Sequence, residues 1–142
     1  DLVQTYGFDH PTGVSPAPPE KLASLGSIDL KAVATVNLSR LMDRLVAEND
    51  GVAVLYYLED NSVLSPGLLM LEEFWTIADR RFPEGAIVVN PRRDQIFLID
   101  KRDESAAESA RRIIDAAVAD DYLVQSERLY HRTAGKLVPF EN

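Results

Sequence analysis

The sequence predicts an α+β domain: a mostly antiparallel sheet built from two hairpins plus a further strand, with about three helices packed on it. Three observations carry this. Two pairs of apolar runs rich in β-formers are joined by short turns, "AIVVNPRRDQIFLID" at 86–100 and "RLYHRTAGKLVPF" at 128–140. Three other stretches repeat apolar residues at helical spacing. With 142 residues, 46% hydrophobic and 27% charged, the chain is sized and composed for one compact domain.

Residues 1–26 hold four of the eight prolines and three of the seven glycines. Proline removes a donor and restricts its neighbour, so "PTGVSPAPPEK" reads as part of an extended arm. Leu2, Val3, Tyr6 and Phe8 give that arm apolar contacts to offer. Residues 27–142 form the expected single domain.

Its first helix is expected from Leu30, Val33, Ala34, Leu38, Leu41, Met42, Leu45 and Val46. Ser27 or Asp29 caps its start, and "ENDG" at 48–51 ends it. Asn37 falls on the apolar stripe, where it should bond a backbone group in a neighbouring loop or else serve a ligand. "VAVLYYL" at 52–58 reads as a strand buried on both faces, with the Tyr56 and Tyr57 rings on opposite sides.

A second helix is expected after the "EDNS" turn, with Ser65 as N-cap and Pro66 in its first turn. Leu68, Leu71, Trp75, Ala78 and Phe82 form its stripe, widened by Leu69, Phe74 and Ile77. Glu72 and Glu73 lie towards its positive end, Arg80 and Arg81 towards its negative end, and Pro83 closes it. A third helix, "DESAAESARRIIDAAVADD" at 103–121, turns Ala106, Ala110, Ile113, Ile114, Ala117 and Val118 inward. In the last hairpin Pro139 marks an edge strand.

The formal net charge is −8. That opposes nonspecific nucleic-acid binding, which needs Lys and Arg against phosphates, and suits a basic protein partner. No apolar run approaches the ~20 residues that span a bilayer, and no signal peptide stands in the chain. A cytoplasmic location is expected. With no cysteine there is no thiolate chemistry. The chain has no nucleophile elbow, phosphate-binding glycine loop or zinc-protease motif. The two histidines, His10 and His131, are far apart in sequence. Glu59-Asp60-Asn61 and Asp120-Asp121 are acidic clusters without calcium-loop spacing. We expect neither cofactor nor metal. His131 is a general-base candidate without an evident orienting group; the simpler reading is a half-buried structural histidine.

The candidate ligand-binding residues are Arg92, Arg93 and Asp94. Asn90-Pro91-Arg92-Arg93 fits a type I turn. The two arginines could join Lys101 and Arg102, or Arg80 and Arg81, in a patch for a phosphate or carboxylate. The competing reading is a charged turn that keeps an apolar hairpin from pairing with other chains.

Four blocks in this order resemble the YtpQ-like proteins, uncharacterised bacterial proteins once grouped as a domain of unknown function. They are "NLSRL" at 37–41, "LLMLEEFW" at 68–75, "AIVVNPRRDQIFLID" at 86–100, and the end from "AAVADDYLVQ" onward. The resemblance covers roughly residues 30–142. It implies the same fold, as the C-terminal part of a longer pattern. It brings no established reaction, cofactor or catalytic residue. The family's proline-then-arginine-aspartate hairpin corresponds to Pro91, Arg93 and Asp94.

Without a catalytic constellation, the expected function is a non-enzymatic protein-interaction module, in one version an immunity- or antitoxin-like mask for a basic protein. One alternative is an anionic-ligand-binding protein or enzyme using the Arg92/Arg93/Asp94 hairpin, with Asn37 or His131 close by. Another is a dimerisation module pairing through the Pro139 edge or the arm.

Overall fold

A computed structural model describes residues 6–10, 13–120 and 124–141. Among them the fold is α+β, with antiparallel strands throughout. Within the first 26 residues, β1 (Gly7–His10) pairs with β2 (Gly13–Pro16), and α1 spans Pro19–Ser24. Pro19 opens α1, where a missing N–H costs nothing. Lys21 of α1 stacks over Phe8, 5.5 Å from the ring centre. Local pairing thus organises part of the segment expected as an extended arm. Leu2 and Val3 lie outside the described residues.

The main sheet has six strands in the order β3-β4-β6-β5-β7-β8. They are β3 (Leu45–Asn49), β4 (Val54–Leu58), β5 (Ala86–Val89), β6 (Ile96–Asp100), β7 (Leu129–Thr133) and β8 (Lys136–Pro139). The two expected hairpins are β5–β6 and β7–β8. A third, β3–β4, corrects the sequence reading, which extended one helix from about residue 29 to the "ENDG" stop. The helix α2 covers Leu30–Ser39 only, followed by a 3₁₀ turn at Met42–Arg44. "NDG" closes a hairpin instead of ending a helix. Asp50 Oδ1 accepts from the Val52 and Ala53 amides, and Asn49 Oδ1 from Gly51, which sits at φ 93°. These amides hold the Asp50 carboxyl below the usual carboxylate range.

The second helix also divides. A 3₁₀ segment, Ser62–Met70, contains Pro66; the backbone then extends at Leu71 before α3, Glu72–Arg81. Ser65 is therefore no cap. Its buried Oγ accepts from the Leu58 amide at 3.0 Å and ties the segment to β4. Ser65→Ala is expected to cost roughly 1–3 kcal/mol, the penalty for a buried donor left unpaired. Urea unfolding measures this; a loss within error would mean that the amide finds another acceptor.

Both faces of the sheet are covered. Val54, Tyr56, Leu58, Val88 and Leu98 meet Leu68, Leu71, Phe74, Trp75 and Ala78 on one side. Ile87, Val89, Ile99 and Leu129 meet Ala106, Ala110 and Ile114 of α4 (Ala106–Ala119) on the other. This explains why all four β5 residues are buried. Alanines on α4 let the helix lie close to the sheet, while Val118, expected inside, is exposed. Ile77 is exposed as well. The outermost strands are β3 and β8, so Pro139 does stand at an edge. No described helix is long and apolar enough to cross a membrane.

Candidate functional site

The hairpin loop at 90–95 is built around Asn90, not around a type I turn starting there. Asn90 is 1% exposed. Its Nδ2 donates to the Arg92 carbonyl at 2.8 Å and the Gln95 carbonyl at 2.7 Å. The tight turn falls at Arg93-Asp94, with the Gln95 amide reaching the Arg92 carbonyl at 3.4 Å. Pro91 is buried, and its carbonyl accepts from the Gln125 amide at 2.7 Å. Arg92 bonds Asp120 at the end of α4 at 2.5 Å, where the helix dipole also favours a cation.

Arg92, Arg93 and Asp94 thus share one turn, with Arg93 exposed and Asp94 half-buried. The patch expected with Lys101 and Arg102 does not assemble. Ala86 pairs with Asp100 at the far end of the hairpin, so Lys101 and Arg102 stand roughly 15 Å of strand away from Arg92. Arg102 forks onto its own neighbour Asp100, holding that carboxyl below its usual range. Asn37 is exposed on α2, bonded only weakly by Arg40 at 3.5 Å rather than to a loop backbone. His131 pairs with Ile87 in the sheet, away from the loop. Among the described residues no group of metal-ligating side chains converges; Asp121 lies outside them.

Arg132 is the functional-looking residue that sequence reading passed over. It shares a strand face with Tyr130 and reaches α3. Its guanidinium lies 5.0 Å over the Trp75 ring, its Nη2 donates to Glu72 at 2.5 Å, and its Nη1 to Asp79 at 3.4 Å. Glu72, Trp75 and Asp79 recur at i, i+3 and i+7, one face of the helix. That spacing was the available signal. A cleft of about 170 Å³ opens beside them, lined by Ala78, Phe82, Gly85 and Ala134 among others. Two carboxylates and an indole engage the Arg132 head, which straps the sheet to α3, while its buried Nε donor has no hydrogen-bond partner among the described residues.

His131 does have a neighbour. Lys101 Nζ lies 2.7 Å from its Nδ1, and Phe140 meets the ring edge-on at 5.7 Å. An ammonium can only donate, so Nδ1 accepts and the neutral ring carries its proton on Nε2. Desolvation and then Lys101 lower the His131 pKa from 6.5. The unfolded chain therefore binds this proton more readily than the folded one. The His131 contribution should weaken stability as pH falls below about 6.5 and level off below the folded pKa. Unfolding curves of wild type and His131→Gln across acidic pH give the difference; parallel pH profiles would refute it.

The largest unmatched feature is α2. Ala34, Leu38 and Leu41 are half-buried, with Leu38 and Leu41 packed against the core, yet no residue of the helix is buried. Its opposite side carries Asp29, Val33, Val36 and Arg40, spaced by four, three and four residues, which is one stripe at 100° per residue. Val33 is 47% exposed and Val36 51%, with Ile28 also open just before the cap. The sequence reading had turned Val33 inward. Asp29 does cap the helix, its Oδ1 accepting from the Ala32 amide at 3.0 Å. No family model, curated protein or solved structure matches the chain.

Proposed function

We propose that this chain is a non-catalytic protein-interaction domain that recognises its partner through the outward stripe of α2. The observation that supports it most directly is the pair Val33 and Val36, exposed at helical spacing on a helix that buries none of its residues. Exposed aliphatics scattered singly need no explanation, but an aligned pair is the seed of a helix contact. The polar candidates argue less for chemistry: Arg92 bonds Asp120, Arg132 bonds Glu72 and Asp79, and His131 meets a lysine. The net charge of −8 favours a basic partner and gives the immunity- or antitoxin-like version its support. The YtpQ-like resemblance adds no reaction.

The test uses wild-type protein and the Val33→Asp/Val36→Asp variant as parallel baits, both shown folded by circular dichroism. Wild type should retain a polypeptide in stoichiometric amount, and the variant should lose it. Equal retention by the two baits overturns the reading, and so does no retention by either from a chain that stays monomeric at every concentration.

A further inference from the structure

Resting on the α2 stripe as the contact surface but not on a basic partner, since each copy carries a net charge of −8, we infer that the occupant of the stripe is a second copy of this chain, docked antiparallel about a two-fold axis. The stripe is its own complement. Residues related by the axis pair Asp29 with Arg40 of the second copy, and Val33 with Val36. Each acid then meets a base at both ends, and the aliphatic pairs close the middle. Two-fold pairing requires a surface of this kind, in which the same patch serves both partners.

The other orientation is disfavoured on the same residues. A parallel pair would set Asp29 against Asp29 and Arg40 against Arg40, and would align the two helix dipoles. Antiparallel packing opposes the dipoles. Asp29 gives one oxygen to the Ala32 amide and, as a carboxylate, has a second for a cation. Arg40 is exposed, and its guanidinium makes a long 3.5 Å approach to Asn37.

The helix has ten residues, about 15 Å of axis. Such a contact falls short of the ~1,200 Å² of a standard stable interface, so the dimer should be weak. Sedimentation of the full chain should show a mass rising towards the dimer between roughly 10 µM and 1 mM, as suits a small interface. The register is read by disulfide trapping, which is clean because the chain contains no cysteine. Under mild oxidation a mixture of Val33→Cys and Val36→Cys chains should give mainly the mixed disulfide. Charge reversal gives an independent reading. Asp29→Lys and Arg40→Glu should each abolish association, and mixing the two should restore it.

Preferential trapping of each cysteine variant with itself overturns the antiparallel pairing. A monomer at every concentration overturns self-association. In that case, retention of another polypeptide by wild type but not by Val33→Asp/Val36→Asp leaves the interaction reading standing, and its absence removes both.

Discussion

Phe74→Ala is expected to cost roughly 3–5 kcal/mol, a large share of the stability of a domain this size. Phe74 is fully buried on α3. It meets Tyr56 edge-on, with centres 5.3 Å apart and planes at 89°, and Trp75 at 5.4 Å and 69°. Such edge contacts add about 0.5–1.5 kcal/mol beyond area burial. Little can move in to fill the space. Tyr56 is fixed in β4 between β3 and β6, and Trp75 is held by its Nε1 bond to the Leu69 carbonyl at 3.0 Å. Phe74→Leu should cost less than half as much, since most of the volume stays. Equilibrium urea unfolding of both variants tests this. A Phe74→Ala loss below about 1.5 kcal/mol would show that the core relaxes.

Asn90→Ala is expected to destabilise by roughly 2–4 kcal/mol, because two inward carbonyls lose their donor together. Asn90→Asp should be no milder: it replaces the donating amide with an oxygen against the Arg92 and Gln95 carbonyls. Arg92→Ala should cost less than about 1 kcal/mol, since its Asp120 partner is largely exposed. Arg93→Ala should change almost nothing. The ranking is checked by thermal or urea unfolding of the four variants. If Arg92→Ala proved the worst, the loop would be held from outside by its ion pair instead of from inside by Asn90.

That ranking shows where the sequence was readable. Paired apolar runs revealed the two hairpins, because alternation and turns are local properties. The stripe Leu68, Leu71, Trp75, Ala78 and Phe82 was read correctly, since all five are buried. The continuous helix over it was not: Leu71 is extended, and the carbonyl freed at Leu69 takes the Trp75 indole instead. The first helix was overextended because Leu41, Met42, Leu45 and Val46 fit helical spacing and strand alternation alike. Asp50-Gly51 between two apolar runs was a hairpin signal as well as a helix stop. Arg132 was hidden because its partners lie 53 and 60 residues earlier on another element. Asn90 was read as the first residue of a type I turn, whereas it holds the loop from inside through its Nδ2. Asn37 misled because the helix turns a different side to the core than apolar periodicity implied.

The arrangement of the six-stranded sheet has a kinetic consequence. It is three hairpins side by side, β3–β4, β6–β5 and β7–β8, joined only at the β4–β6 and β5–β7 seams. Each hairpin closes a short loop on its own, so most strand pairing needs no distant encounter, and the two dockings supply the long-range part of the barrier. The middle hairpin takes part in both dockings. We therefore expect the folding transition state to contain β5 and β6, with β3 and β8 joining later. In chevron analysis Leu98→Ala should mainly slow folding, and Val138→Ala should mainly speed unfolding. Similar partition at both positions would mean that the sheet assembles in one concerted step.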